Sequence, residues 1–142
     1  MDKRYAVRVF AFKDNKVACI KYKNINKDYF DIPGGRIEDG ENEIQTCIRE
    51  FKEETGMDID DLRCIGNVEI TYPDKNKKFI MKTYIASKIN GVPLELDDNY
   101  AYWLPINELT SNEKRFAITH LLDDDLIKYF EVEKINILFT CD

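Results

Sequence analysis

One capped helical period set between runs of β-formers constrains this chain most. Between Asn42 and Thr55 the apolar residues Ile44, Cys47, Ile48 and Phe51 recur at i, i+3, i+4 and i+7, which predicts a helix with one buried face. Asn42 stands at the N-cap, Gln45 follows three residues later as in a capping box, and Gly56 supplies the stop. Upstream, Tyr5 to Phe12 is rich in β-formers, Lys13-Asp14-Asn15-Lys16 reads as a turn, and Val17 to Tyr22 as the returning strand. Downstream, Leu62, Cys64, Gly66, Val68, Ile70 and Tyr72 alternate with polar residues, a period-2 pattern spoiled only at Ile65. Pro73 to Lys77 interrupts it, Phe79 to Ser87 alternates again, and a short strand over Tyr100 to Leu104 ends at Pro105. A second helix is expected from near Thr110, with Phe116, Ala117, Leu121 and Leu122 inward and a break at Asp123-Asp124-Asp125 before Leu126 to Phe130. Hairpin strands with two helices predict an α+β fold, or a mixed sheet between helices.

The 142 residues fit one domain, 1–142, with a genuine core. A 44% hydrophobic share excludes a disordered chain, and a net charge of −6 with scattered Lys and Arg argues against duplex nucleic acid as partner. An acidic protein can still act on a polyanion when a divalent cation mediates the contact. Met1-Asp2-Lys3-Arg4 leads straight into a strand with no apolar signal segment, and no run approaches a membrane span. Cys19, Cys47, Cys64 and Cys141 are far apart and form no C-x-x-C, so reduced thiols in a cytoplasmic protein are expected.

The helix carries a turn that stability alone would not choose. Glu50, Glu53 and Glu54 span about 100° of its surface, centred about 120° from the apolar stripe. Glu50 and Glu54 stack at i, i+4, where like charges repel, and all three lie near the negative end of the helix dipole. Lys52 points elsewhere, so the turn reads as lacking cationic partners. A solvated acidic face is the bland origin of such a run. Oxygen-rich and without His or Cys, the turn also suits a hard cation such as Mg²⁺, which takes one or two carboxylates, keeps waters and completes its shell with phosphate oxygens. Gly34, Gly35, Gly40 and Gly56, four of the six glycines, surround this helix. Pro33-Gly34-Gly35 follows a short extended stretch, Tyr29 to Ile32, and its backbone can approach another group closely.

Together these residues resemble the Nudix box, the signature of the MutT-like Nudix hydrolases, G-x5-E-x7-R-E-U-x-E-E-x-G-U with U hydrophobic. Here it reads Gly35, Glu41, Arg49-Glu50-Phe51-Lys52-Glu53-Glu54-Thr55-Gly56-Met57, with every fixed identity present and Phe51 and Met57 in place of the usual aliphatics. Phe30, three residues before Pro33, and Trp103-Leu104-Pro105 followed by Glu108-Leu109 are also similar to family members. The resemblance implies the Nudix fold, an α/β/α sandwich with a mixed β-sheet. It implies hydrolysis of a nucleoside diphosphate linked to another moiety, with Mg²⁺ as cofactor and Mn²⁺ able to substitute. It further implies Glu50 and Glu54 as main metal ligands and Glu53 as a further ligand or the base. A Gly34 or Gly35 carbonyl joins the shell, and Arg49 pairs with Glu41 or a catalytic glutamate.

Outside the box the residues leave alternatives open. The general base could be Glu53, Glu95, Asp97, Asp98 or His120, although a solvated loop explains the three acids and a packed or surface imidazole explains His120. Trp103 and the tyrosines could stack a nucleobase, yet aromatics in strands are commonly core. Cys47 reads as core. Pro73 lies at the spacing of ADP-ribose hydrolases in the family, and Tyr72 falls short of the spacing for diadenosine polyphosphates. The expected substrate is therefore a small nucleotide, a nucleoside triphosphate ahead of ADP-ribose or a nucleotide sugar, bound by a monomer or homodimer. A non-catalytic nucleotide sensor is the reading of another class, set against a box that has lost no glutamate.

Overall fold

The computed structural model describes residues 2–23 and 30–109. Along them run β1 (Asp2–Lys13), β2 (Lys16–Tyr22), β3 (Gly34–Arg36), α1 (Glu43–Thr55), β4 (Asp58–Tyr72), a 3-10 turn (Pro73–Lys75), β5 (Lys77–Asn90), β6 (Asn99–Pro105) and the short α2 (Ile106–Leu109). The strands form one sheet in the order β4-β5-β1-β2-β6, with β3 added to β1. β1 lies parallel to β5 from Asp2↔Lys77 to Ala11↔Ala86, and the other pairings are antiparallel. The sheet is thus mixed and the fold α+β, as expected. The expected helix from Thr110 lies outside the described residues, but helical backbone already begins at Ile106.

β1 is buried without interruption from Ala6 to Ala11 because both sheet faces are covered. On one face Val7, Val9, Ala11 and Tyr84 pack with Cys47 and Phe51 of α1. On the other, Phe10, Val17, Cys19, Phe30, Ile32, Ile85 and Leu104 form a second cluster.

Asp14 and Asn15, with φ of 52° and 64°, make the tight turn of the first hairpin, whose two positive φ values suit the strand twist. The hairpin is shorter than expected. Only Phe12↔Val17 and Lys13↔Lys16 pair, after which β2 leaves β1 and pairs along its whole length with β6. The stretch from Asp31 to Arg36 fills the split. Asp31 bridges Ile20, the Pro33 carbonyl accepts from Val9 N–H, and Gly34–Arg36 pairs with Ala6–Arg8.

Ile65 breaks the alternation of β4 because it is the extra residue of a β-bulge between Cys64 and Gly66. Before it, Cys64 stands opposite Tyr84; after it, Gly66 stands opposite Thr83, which faces the other side. Leu62 and Cys64 therefore pack on the α1 side, while Gly66 stands at a position that faces away from it. Ile65 itself packs into the cluster away from α1.

α1 starts and stops as read. Asn42 accepts from Gln45 N–H at 2.8 Å, Gln45 Oε1 accepts from Asn42 N–H at 2.9 Å, and Gly56 closes the helix at φ 77°. Its buried face differs from expectation. Cys47 and Phe51 point inward, but Ile44 and Ile48 are 37% and 40% exposed, while Thr46 and Thr55 are buried in their stead. The threonine hydroxyls tolerate burial by donating to the Asn42 and Phe51 carbonyls at 3.0 and 2.6 Å. The helix is rolled by about 50° from the apolar stripe towards its glutamates.

Cys19 and Cys47 are free and buried, as expected, and Cys141 lies outside the described residues. No helix among the described residues is long and apolar enough to cross a membrane.

Candidate active site

The roll of α1 brings Glu50 and Glu54 against the glycines in the split sheet. Gly34 N–H donates to Glu54 Oε1 at 3.0 Å. A Cβ on Gly35 would fall 2.4 Å from the Glu50 carboxyl carbon, so the missing side chain is the space that Glu50 occupies. A Cβ on Gly34 would fall 2.2 Å from the Val7 carbonyl oxygen, so this glycine permits the close pairing of β3 with β1. Both glycines are required, for different reasons.

Glu54 is mostly buried, and that burial pushes its pKa up to about 8. The Gly34 amide pulls it down, while the Glu50 and Asp31 carboxylates push it further up. Two carboxylates facing each other in a nook of low polarity cannot both stay ionised cheaply without a counter-charge.

Arg49 supplies charge to the rest of the turn. Its Nε and Nη2 donate to the two Glu41 oxygens at 2.6 and 2.9 Å, a bidentate fork. Nη1 reaches Glu50 Oε1 at 2.9 Å and Glu53 Oε2 at 3.2 Å, and Nη2 also donates to the Arg36 carbonyl at 3.3 Å. The Arg49 fork, above all, holds Glu41 at a pKa of about 2. The acidic turn is therefore not without a cation, as its sequence suggested: Arg49 folds back along the helix to serve three glutamates. Lys52 does point elsewhere, donating to Asp58 at 3.3 Å.

Glu53, with a side chain 56% exposed, turns to Arg49 and stands apart from the Glu50–Glu54 pair. Among the described residues no three acids, histidines or cysteines converge as a ready-made metal cage. A pair of hard oxygen donors in a glycine-walled nook nevertheless fits Mg²⁺, which binds through one or two carboxylates and takes the rest of its shell from water and phosphate.

The loop after β5 closes the glutamate end of α1. Leu94 N–H donates to the Thr55 carbonyl at 2.9 Å and Asn99 Nδ2 to the Glu54 carbonyl at 3.1 Å, satisfying orphan groups of the last turn. Glu95, Asp97 and Asp98 ride on this loop with exposed side chains, and Glu95 is drawn to Lys23 at 3.7 Å. His120 lies outside the described residues. Cys47 is core, its thiol pushed up to about 12 by burial. Trp103 packs against the α1-side core.

Sequence reasoning missed Asp31 and Asn99. Asp31 is 6% exposed and adds negative potential at Glu54 from just before the glycines. Its charge and position are visible in sequence; its burial depends on the bridge to Ile20. Asn99 carries no local signal at all.

The NUDIX domain family model matches residues 2–123. An oxidized purine nucleoside triphosphate hydrolase of Danio rerio is 29% identical over 76 residues, 54% of this chain and 49% of that protein. An ADP-ribose pyrophosphatase of Methanocaldococcus jannaschii is 50% identical over 46 residues, 32% of this chain and 27% of that protein. These matches thus span half or less of the relatives' own length. Among solved structures, a MutT Nudix hydrolase from Burkholderia pseudomallei superposes with a TM-score of 0.71 at 18% identity, covering 85% of this chain and 95% of that one. With the family match running over nearly all of the sheet and α1, the chain belongs to the Nudix family.

Proposed function

We propose that this chain is a Nudix-type pyrophosphohydrolase that splits a nucleoside triphosphate into a monophosphate and pyrophosphate. The observation that carries the reading is the Glu50–Glu54 pair, set against Gly34 and Gly35 where two adjacent phosphoryl groups can approach. Glu50 and Glu54 would hold Mg²⁺, or Mn²⁺ in its place, with a Gly34 or Gly35 carbonyl completing the protein's share. The cation, when bound, neutralises polyphosphate charge and lowers the pKa of the attacking water. Glu53, the exposed member, serves as a further ligand or takes the proton from that water. Arg49 and Glu41 are positioning residues: the fork between them fixes the guanidinium that holds Glu50. Asp31 and the Gly34 amide set how readily Glu54 gives up its proton.

In this reading residues 1–142 act as a single domain on a small nucleotide, as monomer or homodimer in the cytoplasm. The complete set of box glutamates favours turnover over mere nucleotide sensing. The test is a panel of nucleoside triphosphates, ADP-ribose and nucleotide sugars with Mg²⁺, run in ¹⁸O water with product identification. Monophosphate and pyrophosphate from triphosphates are expected. A kcat/KM for ADP-ribose at least tenfold above every triphosphate would move the substrate, and binding without turnover would make the chain a sensor. Phosphate release from a monophosphate alone would contradict anhydride cleavage itself.

A further inference from the structure

The roll of α1 leaves Ile44 and Ile48 37% and 40% exposed while Glu50 and Glu54 face the glycines. Burial of apolar surface favours the opposite roll. Turning the helix back by about 50° would cover both isoleucines and carry the glutamates off Gly34 and Gly35. The observed position therefore needs a restraint that opposes this pull.

Glu43, Cys47, Glu50 and Glu54 follow one another at i, i+4, i+7 and i+11, a single stripe, so a hold on Glu43 is a hold on the roll of all four. That hold comes from β5. The Tyr84 hydroxyl donates to Glu43 Oε1 at 2.7 Å, and Lys82 Nζ stands 3.7 Å from the same oxygen. Lys82 and Tyr84 are two apart on one strand and share the sheet face that α1 covers. Among the described residues, the polar side-chain links between α1 and β5 both end on Glu43. The Tyr84 ring is 7% exposed and packs in one cluster with Cys47 and Phe51, so the phenol has little room to move. Burial, and then the bond to Glu43, push its pKa above the ordinary value, so it stays a donor. A phenol donating to a carboxylate belongs to the stronger, charge-assisted class of hydrogen bond.

We propose that Tyr84, acting through Glu43, is a positioning residue that locks the roll of α1 against the burial of Ile44 and Ile48, and so keeps Glu54 on the Gly34 amide and Glu50 against Gly35. The use of those glutamates in catalysis rests on the hydrolase reading above, but the lock is read without metal or substrate. Gly34 N–H donates to Glu54 Oε1, so its hydrogen exchange in ¹⁵N-labelled, metal-free full-length protein reports the docking of Glu54.

Tyr84→Phe keeps the ring and loses the hydroxyl. Its Gly34 amide should exchange about tenfold faster or more, while the β1 amides and the melting temperature stay close to wild type. Adding Ile44→Gln and Ile48→Gln removes the opposing apolar pull and should restore slow exchange at Gly34. With nucleotide and saturating Mg²⁺, Tyr84→Phe should lose about tenfold or more in kcat at unchanged KM, and the triple variant should regain it. Wild-type exchange at Gly34 in Tyr84→Phe would overturn the lock. So would faster exchange that the two glutamines do not reverse, or exchange that rises equally along β1, since either would make the hydroxyl an ordinary packing contact. The expected pattern at Gly34 in a chain that hydrolyses no nucleotide would leave the lock standing and remove the proposed activity.

Discussion

Gly34 and Gly35 are adjacent, chemically identical, and set up to fail differently when replaced by alanine. At Gly35 the backbone stays out of the left-handed region, so alanine is tolerated there, and the only obstruction is the Glu50 carboxylate 2.4 Å away. Ordinary contact begins at 3.4 Å, so Glu50 must retreat by about 1 Å against its 2.9 Å bond from Arg49. A misplacement of about 1 Å in a catalytic group can cost about 100-fold in rate, or about 2.7 kcal/mol. Gly35→Ala should therefore lose about 100-fold in kcat with little change in melting temperature. At Gly34 the obstruction is the Val7 carbonyl oxygen at 2.2 Å and Arg8 Cα at 2.8 Å, neither of which can rotate aside. Overpacking of that kind costs roughly 1–3 kcal/mol, or about 4–12 °C in melting temperature at this size. Thermal melts by circular dichroism and Mg²⁺-dependent hydrolysis, run on both variants, decide the matter. Full activity in Gly35→Ala, or a wild-type melt in Gly34→Ala, would refute the geometry on which the two roles rest.

Three further expectations follow from the same turn. Glu53→Gln and Glu54→Gln should each abolish activity while the fold survives, and full turnover at saturating Mg²⁺ would remove these residues from the mechanism. Arg49→Lys loses the fork that holds Glu41 and Glu50 and should lower kcat by about tenfold or more, whereas wild-type kinetics would reduce Arg49 to a surface charge. Without metal, Glu54 has a folded pKa of about 8, above its ordinary 4.5, so its contribution to stability is complete below pH 4.5 and lost as pH rises through 8. Urea melts of metal-free protein should weaken across that window, and Glu54→Gln should flatten the decline; an equal decline in the variant would place its cause elsewhere.

Local chemistry was legible in the sequence, and packing against distant strands was not. Asn42, Gln45 and Gly56 announced both ends of α1 because caps act within one turn. Ile65 announced a bulge, although only as a flaw in an alternation. The apolar stripe put Ile44 and Ile48 inside. It could not anticipate that docking Glu50 and Glu54 on Gly34 and Gly35 would roll the helix and leave both isoleucines half out. The hairpin of β1 and β2 was visible at Asp14-Asn15, but the early departure of β2 was not, since β6 comes more than 75 residues later. Motif spacing singled out Glu41, Arg49, Glu50 and Glu54 as candidates, and the fold brings them together around Arg49, Gly34 and Gly35. Asp31 and Asn99 were not singled out, because each acts through a partner in another element.

The stretch from Asp31 to Arg36, wedged between β1 and β2, makes the glutamate motif contiguous in sequence yet not portable. Its glycines are a strand only because β1 stands beside them, and β1 is held on its other edge by β5 over Asp2–Ala11 against Lys77–Ala86. A peptide ending at Met57 would contain every box residue and lack the strand that flanks β1. The native frame of the box thus includes a strand that begins some twenty residues downstream of Met57. Grafting Gly35 to Met57 into another scaffold would carry over the carboxylates without the cleft that turns two of them to face each other.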